Sequence, residues 1–280
     1  MNQTPRQSRR ALTALLLLVP CLSAPAQVAA PTDTSRAQQT LFTRRDAWLA
    51  VGFAGATVAM FPLDRYIKAH LRDQSTPSNR FLDRSATGVE YISTPGSFII
   101  GGSLYAIGTI THHRGIQDLG WHGTEAVLVG AGITGLLKGV LGRVRPDSAP
   151  DIEPTDFRLG GGFRDRRRTS FPSGHTTTAF AAAAAVTSEV NRMWPRWTWY
   201  VAPVMYGGAT LVGLSRMYHN RHWASDVALG AGVGTFSGLK VVKYSHSHPD
   251  NLVDRIILRT TVAPDGRGGA YIMWSAPAPR

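Results

Sequence analysis

With 280 residues, 43% of them hydrophobic and 17% charged, the chain can bury a sizeable core and is too apolar to be disordered, yet its mean hydropathy of −0.09 is milder than that of a typical polytopic membrane protein. Thirty Lys and Arg against 18 Asp and Glu give a net charge of +12, which points to anionic partners such as nucleic acid, acidic headgroups or phosphorylated substrates. A single cysteine, Cys21, excludes a disulfide framework. The chain opens with Arg6, Arg9 and Arg10, then the apolar run Ala11 to Leu22, then Ala24-Pro25-Ala26 before Gln27. This order predicts a secretory signal peptide over residues 1–26, since the apolar run is short for a membrane span and is interrupted by Pro20. Cleavage would remove Cys21, leaving no thiol for nucleophilic or metal-binding roles, and would place the remainder outside the cytoplasm, in the periplasm or cell envelope. Export also makes nucleic acid a poor partner.

From Asp46 onward, Ala/Gly/Leu/Val-rich segments of helical length follow one another: Ala47 to Leu63, Tyr91 to Thr111, Thr124 to Leu141, His175 to Val190, Trp199 to Leu214 and Trp223 to Val242. They predict an all-α, up-and-down bundle of about six core helices over residues 46–242, punctuated by Pro77, Pro95, the Pro146 to Pro154 stretch and Pro195. Asp147 to Thr169 is a long polar connection with a triple glycine at 160–162 and the basic run Arg164 to Arg168. Connections of that length tend to be functional, although a solvated loop reads the same way. The tail, residues 243–280, changes character: Arg255 to Val262 and Ala270 to Ser275 are strand-like around Asp265-Gly266, which predicts a small β-hairpin.

Three clusters carry chemistry. Lys138 and Arg145, followed by Pro146, are seven residues apart, two helical turns, so both can reach one anion; alone, they equally suit compensation of a helix C-terminus. Phe171-Pro172-Ser173-Gly174-His175 precedes a strong helix and offers free backbone N–H groups, a hydroxyl and an imidazole at a positive helix end, although Ser173 could simply be an N-cap. His222 and Asp226 are four apart on one helical face, so the carboxylate can hold one ring nitrogen and leave the other free, with Arg216 just upstream. Such a pair alone is more often a capping contact.

Together the clusters read Lys, six residues, Arg-Pro; then Pro-Ser-Gly-His; then Ser-Arg, five residues, His, three residues, Asp. This resembles the three-part signature of the type 2 phosphatidic acid phosphatase (PAP2) family, related to bacterial acid phosphatases and vanadium haloperoxidases, with specific motifs between Lys138 and Asp226. The resemblance implies a metal-independent phosphatase acting on phosphomonoesters or diphosphates. Lipid phosphates are the expected substrates: phosphatidic acid, phosphatidylglycerol phosphate, polyprenyl diphosphate or lipid A phosphate. It implies that Lys138, Arg145, Ser173, Gly174 and Arg216 bind phosphate, that His222 attacks phosphorus, that Asp226 orients His222, and that His175 protonates the leaving oxygen. No cofactor and no metal site are expected. A vanadate-dependent haloperoxidase and a non-catalytic anionic-lipid-binding envelope protein are the rival readings.

All four site-bearing segment ends fall at one end of an up-and-down bundle. His70, His112, His113, His122, His246 and His248 have no carboxylate at ligand spacing and are expected at the surface, as is His219. The uncharged stretches Tyr91 to Thr111 and Trp197 to Ser215, the latter beside Trp194, favour membrane contact. Oligomeric state is not readable.

Overall fold

In a computed structural model, residues 40–71, 80–149, 151–248, 251–258, 260–264 and 270–274 are described. The expected signal peptide lies outside them. Helix α1 (Arg44–Met60) begins at a capping box in which Asp46 accepts from the Thr43 backbone, and Lys240 pairs with Asp46 at 2.5 Å. Two short amphipathic helices follow, α2 (Asp64–Leu71) and α3 (Arg80–Tyr91). Neither is expected from the runs of small apolar residues, because charges interrupt both; each shows one apolar stripe only. A π-helical segment, Ile92–Gly96, carries Pro95 and leads into α4 (Ser97–Ile110). The expected break at Pro95 is thus a distortion inside a nearly continuous helix.

Helix α5 (Arg114–Leu141) starts ten residues before the expected segment and ends at Gly142, whose φ of 58° is the left-handed C-cap that glycine supplies without strain. The long connection then carries two 3₁₀ turns, Gly161–Phe163 and Arg166–Arg168, before α6 (Gly174–Met193). Helices α7 (Thr198–Tyr218) and α8 (Ala224–Ser247) complete the bundle. Its centre is the packing of α6 on α8, where Ala181, Ala184 and Ala185 face Gly234 and Gly238. Small residues let these helices approach closely: a Cβ on Gly234 would overlap the Thr177 carbonyl oxygen, and one on Gly238 would sit 2.5 Å from that of Ala181. Ala126, Val127, Val241 and Val242 extend this core toward α5.

In the tail, α9 (Leu252–Ile257) precedes β1 (Thr260–Pro264) and β2 (Ala270–Trp274), which pair antiparallel from Thr260 opposite Trp274 to Pro264 opposite Ala270. The hairpin pairing is therefore present, but residues 255–257, expected in a strand, are helical. Asn251 accounts for this, accepting from the Asp254 N–H at 3.0 Å as an N-cap. The tip at Asp265-Gly266 lies outside the described residues. By length and composition α5 alone is apolar enough to cross a membrane among the described residues, or a second span if α1 and α2, bent by 62°, count as one.

Candidate active site

The C-terminal ends of α5 and α7 and the N-terminal ends of α6 and α8 meet at one end of the bundle. Lys138 stands in the last turn of α5 and donates to the Thr169 carbonyl at 2.5 Å. Arg145 lies four residues past that helix; its Nη2 reaches Thr169 Oγ1 at 3.2 Å and its N–H donates to Arg167 O at 2.9 Å. The long connection is tied back around this segment by Val144 N–H to Asp156 O at 3.1 Å and Ser170 N–H to Arg143 O at 3.1 Å. Its length thus serves to lay chain on both sides of Arg143 to Arg145.

Ser173 is fully buried at the N-cap of α6, yet its side chain makes no capping bond; its hydroxyl accepts from Thr176 Oγ1 at 2.9 Å. The first-turn N–H groups therefore remain available to an anion, and the helix dipole adds positive potential there. Gly174 faces Lys138: a Cβ added to it would lie 3.7 Å from Lys138 Cε. His175 follows in the first turn. Burial pushes its pKa down to about 4, helped by Arg216, Lys138 and Arg145 and opposed by Glu90.

Asp226 is the most heavily engaged acid of the site. Its Oδ2 accepts from Ser170 Oγ at 2.5 Å, from the Trp223 N–H at 2.9 Å and faces His222 Nδ1 at 3.3 Å, while Oδ1 accepts from Arg143 Nη1 at 2.5 Å. As the third residue of α8 it also meets the positive helix end. With Nδ1 turned to the carboxylate, His222 is left with Nε2 as its free nitrogen. Burial, and then the cationic field of Lys138 and Arg145, push His222 down to about 3 against the pull of Asp226, so the ring is neutral above that pH.

The structure adds residues that the motifs do not name. Arg143, 0% exposed, also donates to Asp64 Oδ2 at 2.6 Å, to Ser225 Oγ at 2.6 Å and to Pro154 O at 2.7 Å; Asp64 in turn accepts from the Ser225 N–H at 2.9 Å. Phe61, Phe157, Phe171 and Trp223 surround the guanidinium, with ring centroids 4.7–5.5 Å away. In the sequence, Arg143 looks like any basic residue at a helix end. Glu90 of α3 pairs with Arg216, and His219, expected at the surface, is half-buried with Nδ1 at 2.7 Å from Glu90 and Nε2 at 3.3 Å from Asp83. Thr87, Glu90, Arg145, Arg216, His219 and Arg221 line an open depression of about 460 Å³ over the site. In the basic run, Arg168 is turned inward onto Asp156 at 2.9 Å and Arg167 pairs with Asp165 at 3.2 Å, leaving Arg164 and Arg166 exposed.

Among the other histidines, His70, His112, His113 and His248 are exposed as expected. His122 and His246 are not surface residues: they converge on Glu189 of α6, with His122 only 2% exposed. Helix packing supplies this carboxylate from 67 and 57 residues away, which spacing along the chain cannot reveal.

Residues 120–249 match the PAP2 superfamily model. Over 69 residues the chain is 48% identical to a lipid A 1-phosphatase of Porphyromonas gingivalis, covering 25% of this chain and 15% of that protein. It is 33% identical over 137 residues to a lipid A 1-phosphatase of Rhizobium etli, covering 48% of this chain and 50% of that one. The chain thus spans half or less of the length of these two relatives. Its fold is similar to that of a transmembrane PAP2-type phosphatidylglycerolphosphate phosphatase from Bacillus subtilis, with a TM-score of 0.52 and 21% identity over 73% of this chain and 97% of the other.

Proposed function

We propose that this member of the PAP2 superfamily is a lipid phosphatase that transfers phosphate to His222 and then to water. The observation that carries this reading is the meeting, at one bundle end, of a neutral histidine held through Nδ1 by Asp226 with the basic side chains of Lys138, Arg145 and Arg216. Phosphoryl transfer needs little else: cations to hold the equatorial oxygens and a nucleophile in line with the leaving group. Lys138, Arg145, Arg216, Ser173 and the Gly174 amide bind the phosphoryl oxygens. His222 Nε2 attacks phosphorus, the ester P–O bond breaks, and His175 gives its proton to the departing oxygen. Water then attacks, the N–P bond breaks, and His175 takes the proton of the water. Neither step calls for a metal.

A phosphate carried on a lipid suits the surroundings. Trp48 of α1, Ile99 and Ile110 of α4, Leu136 of α5, and Trp199 and Val204 of α7 are all more than half exposed, so four helices each leave large apolar side chains uncovered. We place these faces against the apolar phase of a membrane, and read residues 1–26 as an export leader that puts the site on the outer side. The lipid A phosphatases among the relatives favour lipid A as the substrate class.

The test is phosphate release by the purified chain from lipid A, phosphatidic acid, phosphatidylglycerol phosphate, a polyprenyl diphosphate and an aryl phosphate, beside His222→Ala. Release lost by at least about 1000-fold in the variant is expected for a missing nucleophile. Equal release by both would overturn the reading. Halide oxidation that requires added vanadate would move the site to peroxidase chemistry.

A further inference from the structure

A second constellation lies at the opposite end of the bundle. His122 Nδ1 of α5 and His246 Nε2 of α8 stand 2.5 and 2.7 Å from the same oxygen, Oε1 of Glu189 on α6. Counted along the helices, His122 is 16 residues from Lys138 and Glu189 is 14 from His175, about 24 and 21 Å at 1.5 Å per residue. The cluster is therefore separate from the active site.

We propose that His122, Glu189 and His246 form a site for one divalent transition-metal ion of the zinc type. Two imidazoles and a carboxylate are a borderline-soft N₂O set of the kind that zinc accepts, and all three donor atoms lie within 4.8 Å of one another. Tetrahedral binding at about 2.0–2.2 Å per ligand sets donor atoms roughly 3.3–3.6 Å apart and requires the two nitrogen–oxygen pairs to open by roughly 0.6–1.1 Å. Independent of that proximity, Glu189 Oε2 is buried without a hydrogen-bond partner; a buried carboxylate oxygen is ordinarily satisfied, so the cluster holds an oxygen still open to an occupant.

The remaining neighbours fit the same role. Asp254 Oδ2 faces His122 Nε2 at 3.7 Å and is held by Asn251 Nδ2 at 2.6 Å, while Oδ1 accepts from Trp121 Nε1 at 2.9 Å. A carboxylate on the far ring nitrogen is the usual support of a metal-bound histidine. Asp118 and Glu125 are carboxyl side chains one helical turn on either side of His122, whereas Arg192 is more than half exposed and 3.9 Å from Glu189 Oε2. An ion here ties α5, α6 and α8 together behind the catalytic end, with α9 supporting through Asp254. The competing account is a protonated His122 held between Glu189 and Asp254 with no ion.

The test uses the full, untagged chain in detergent solution, stripped with chelator and dialysed, then titrated with zinc chloride or cobalt chloride. One zinc per chain, visible absorption of tetrahedral cobalt, and a melting temperature raised by zinc are expected in the wild type and equally in His222→Ala. Losing an outer carboxylate typically weakens a site 10–100-fold, so Asp254→Asn should fall in about that range and loss of a ligand in Glu189→Gln should exceed about 100-fold. Because Glu189 is buried, His246→Gln is the deciding variant: its side chain is 19% exposed, and a melting curve of the variant without metal checks that the fold is kept. No cobalt absorption in the wild type, or absorption that persists in His246→Gln, overturns the metal site. Phosphatase activity is not a readout here, so the outcome is separable from the reading of the active site.

Discussion

Arg143 carries a positive charge at zero exposure, and two acids, Asp64 and Asp226, share it. Removing one partner of such a group leaves charge buried without compensation, which costs about 3–5 kcal/mol. Arg143→Leu should therefore lower the unfolding free energy by about that amount, read as an earlier thermal or denaturant midpoint. Adding Asp64→Asn should restore part of it, since one of the two stranded carboxylates is gone; no recovery would mean that Arg143 acts through its packing against Phe61 and Trp223. The site histidines make a second prediction. In the proposed mechanism His222 is neutral, which holds above about 3, and His175 is protonated, which in the free protein holds only below about 4. As pH rises through the lower His175 value its acid form is lost, so kcat/KM should fall on the alkaline side from about 4 upward. Bound phosphate brings negative charge beside His175 and raises its pKa, so the alkaline limb of kcat should lie at higher pH than that of kcat/KM. Coincident limbs in a steady-state pH series with an aryl phosphate would refute this assignment. A third concerns Glu90, which already occupies Arg216. Because its charge competes with the incoming anion, Glu90→Gln should lower the inhibition constant of inorganic phosphate about 3–10-fold, the effect of part of one charge-assisted bond. Weaker inhibition would show instead that Glu90 positions Arg216.

At the scale of elements, what holds the site ends in register is the contact of α6 with α8, made by small residues. Gly234→Leu must push α8 off the Thr177 carbonyl, and overpacking of this kind costs about 1–3 kcal/mol or more. The displacement moves Asp226 and His222 relative to Ser173, so activity should fall further than stability; a variant with wild-type kcat would show that the site ends are fixed by the long connection instead. The same elements explain which parts were legible in the sequence. Segments that bury small apolar residues over four or more turns, as in α6 and α8, announce themselves by composition. Helices α2, α3 and α9 do not, because each is short, charged and anchored by polar contacts, such as Asp64 to Arg143 or Asp254 to Trp121, that exist only after folding. The motif residues Lys138, Arg145, Ser173, His175, Arg216, His222 and Asp226 were legible from spacing within short stretches, whereas Glu90, Arg143 and Glu189 take their meaning from partners 57 to 129 residues away.

Taken whole, the molecule offers a membrane two different forces. Its net positive charge, which persists without the three arginines of residues 1–26, attracts anionic headgroups, and the exposed side chains of α1, α4, α5 and α7 would bury apolar area at roughly 25 cal/mol per Å². Ionic strength separates them. At 1 M salt the screening length is about 3 Å, so attraction by charge is nearly abolished, whereas apolar burial is not weakened by salt. If the apolar faces sit in the lipid, the purified chain reconstituted from detergent should float with vesicles of pure zwitterionic lipid and stay bound through a 1 M salt wash. Charge alone would give binding only to vesicles containing anionic lipid, released by that wash. The site's position sharpens the expectation: Arg145 and Arg221 line the depression over the site, and the segment carrying exposed Arg164 and Arg166 is bonded to Arg145 through the Arg167 carbonyl. Arg164→Gln with Arg166→Gln should therefore raise KM for a lipid phosphate in vesicles at low salt while leaving flotation unchanged. Loss of flotation in that double variant would mean that the basic rim, rather than the exposed apolar side chains, binds the protein to the vesicles.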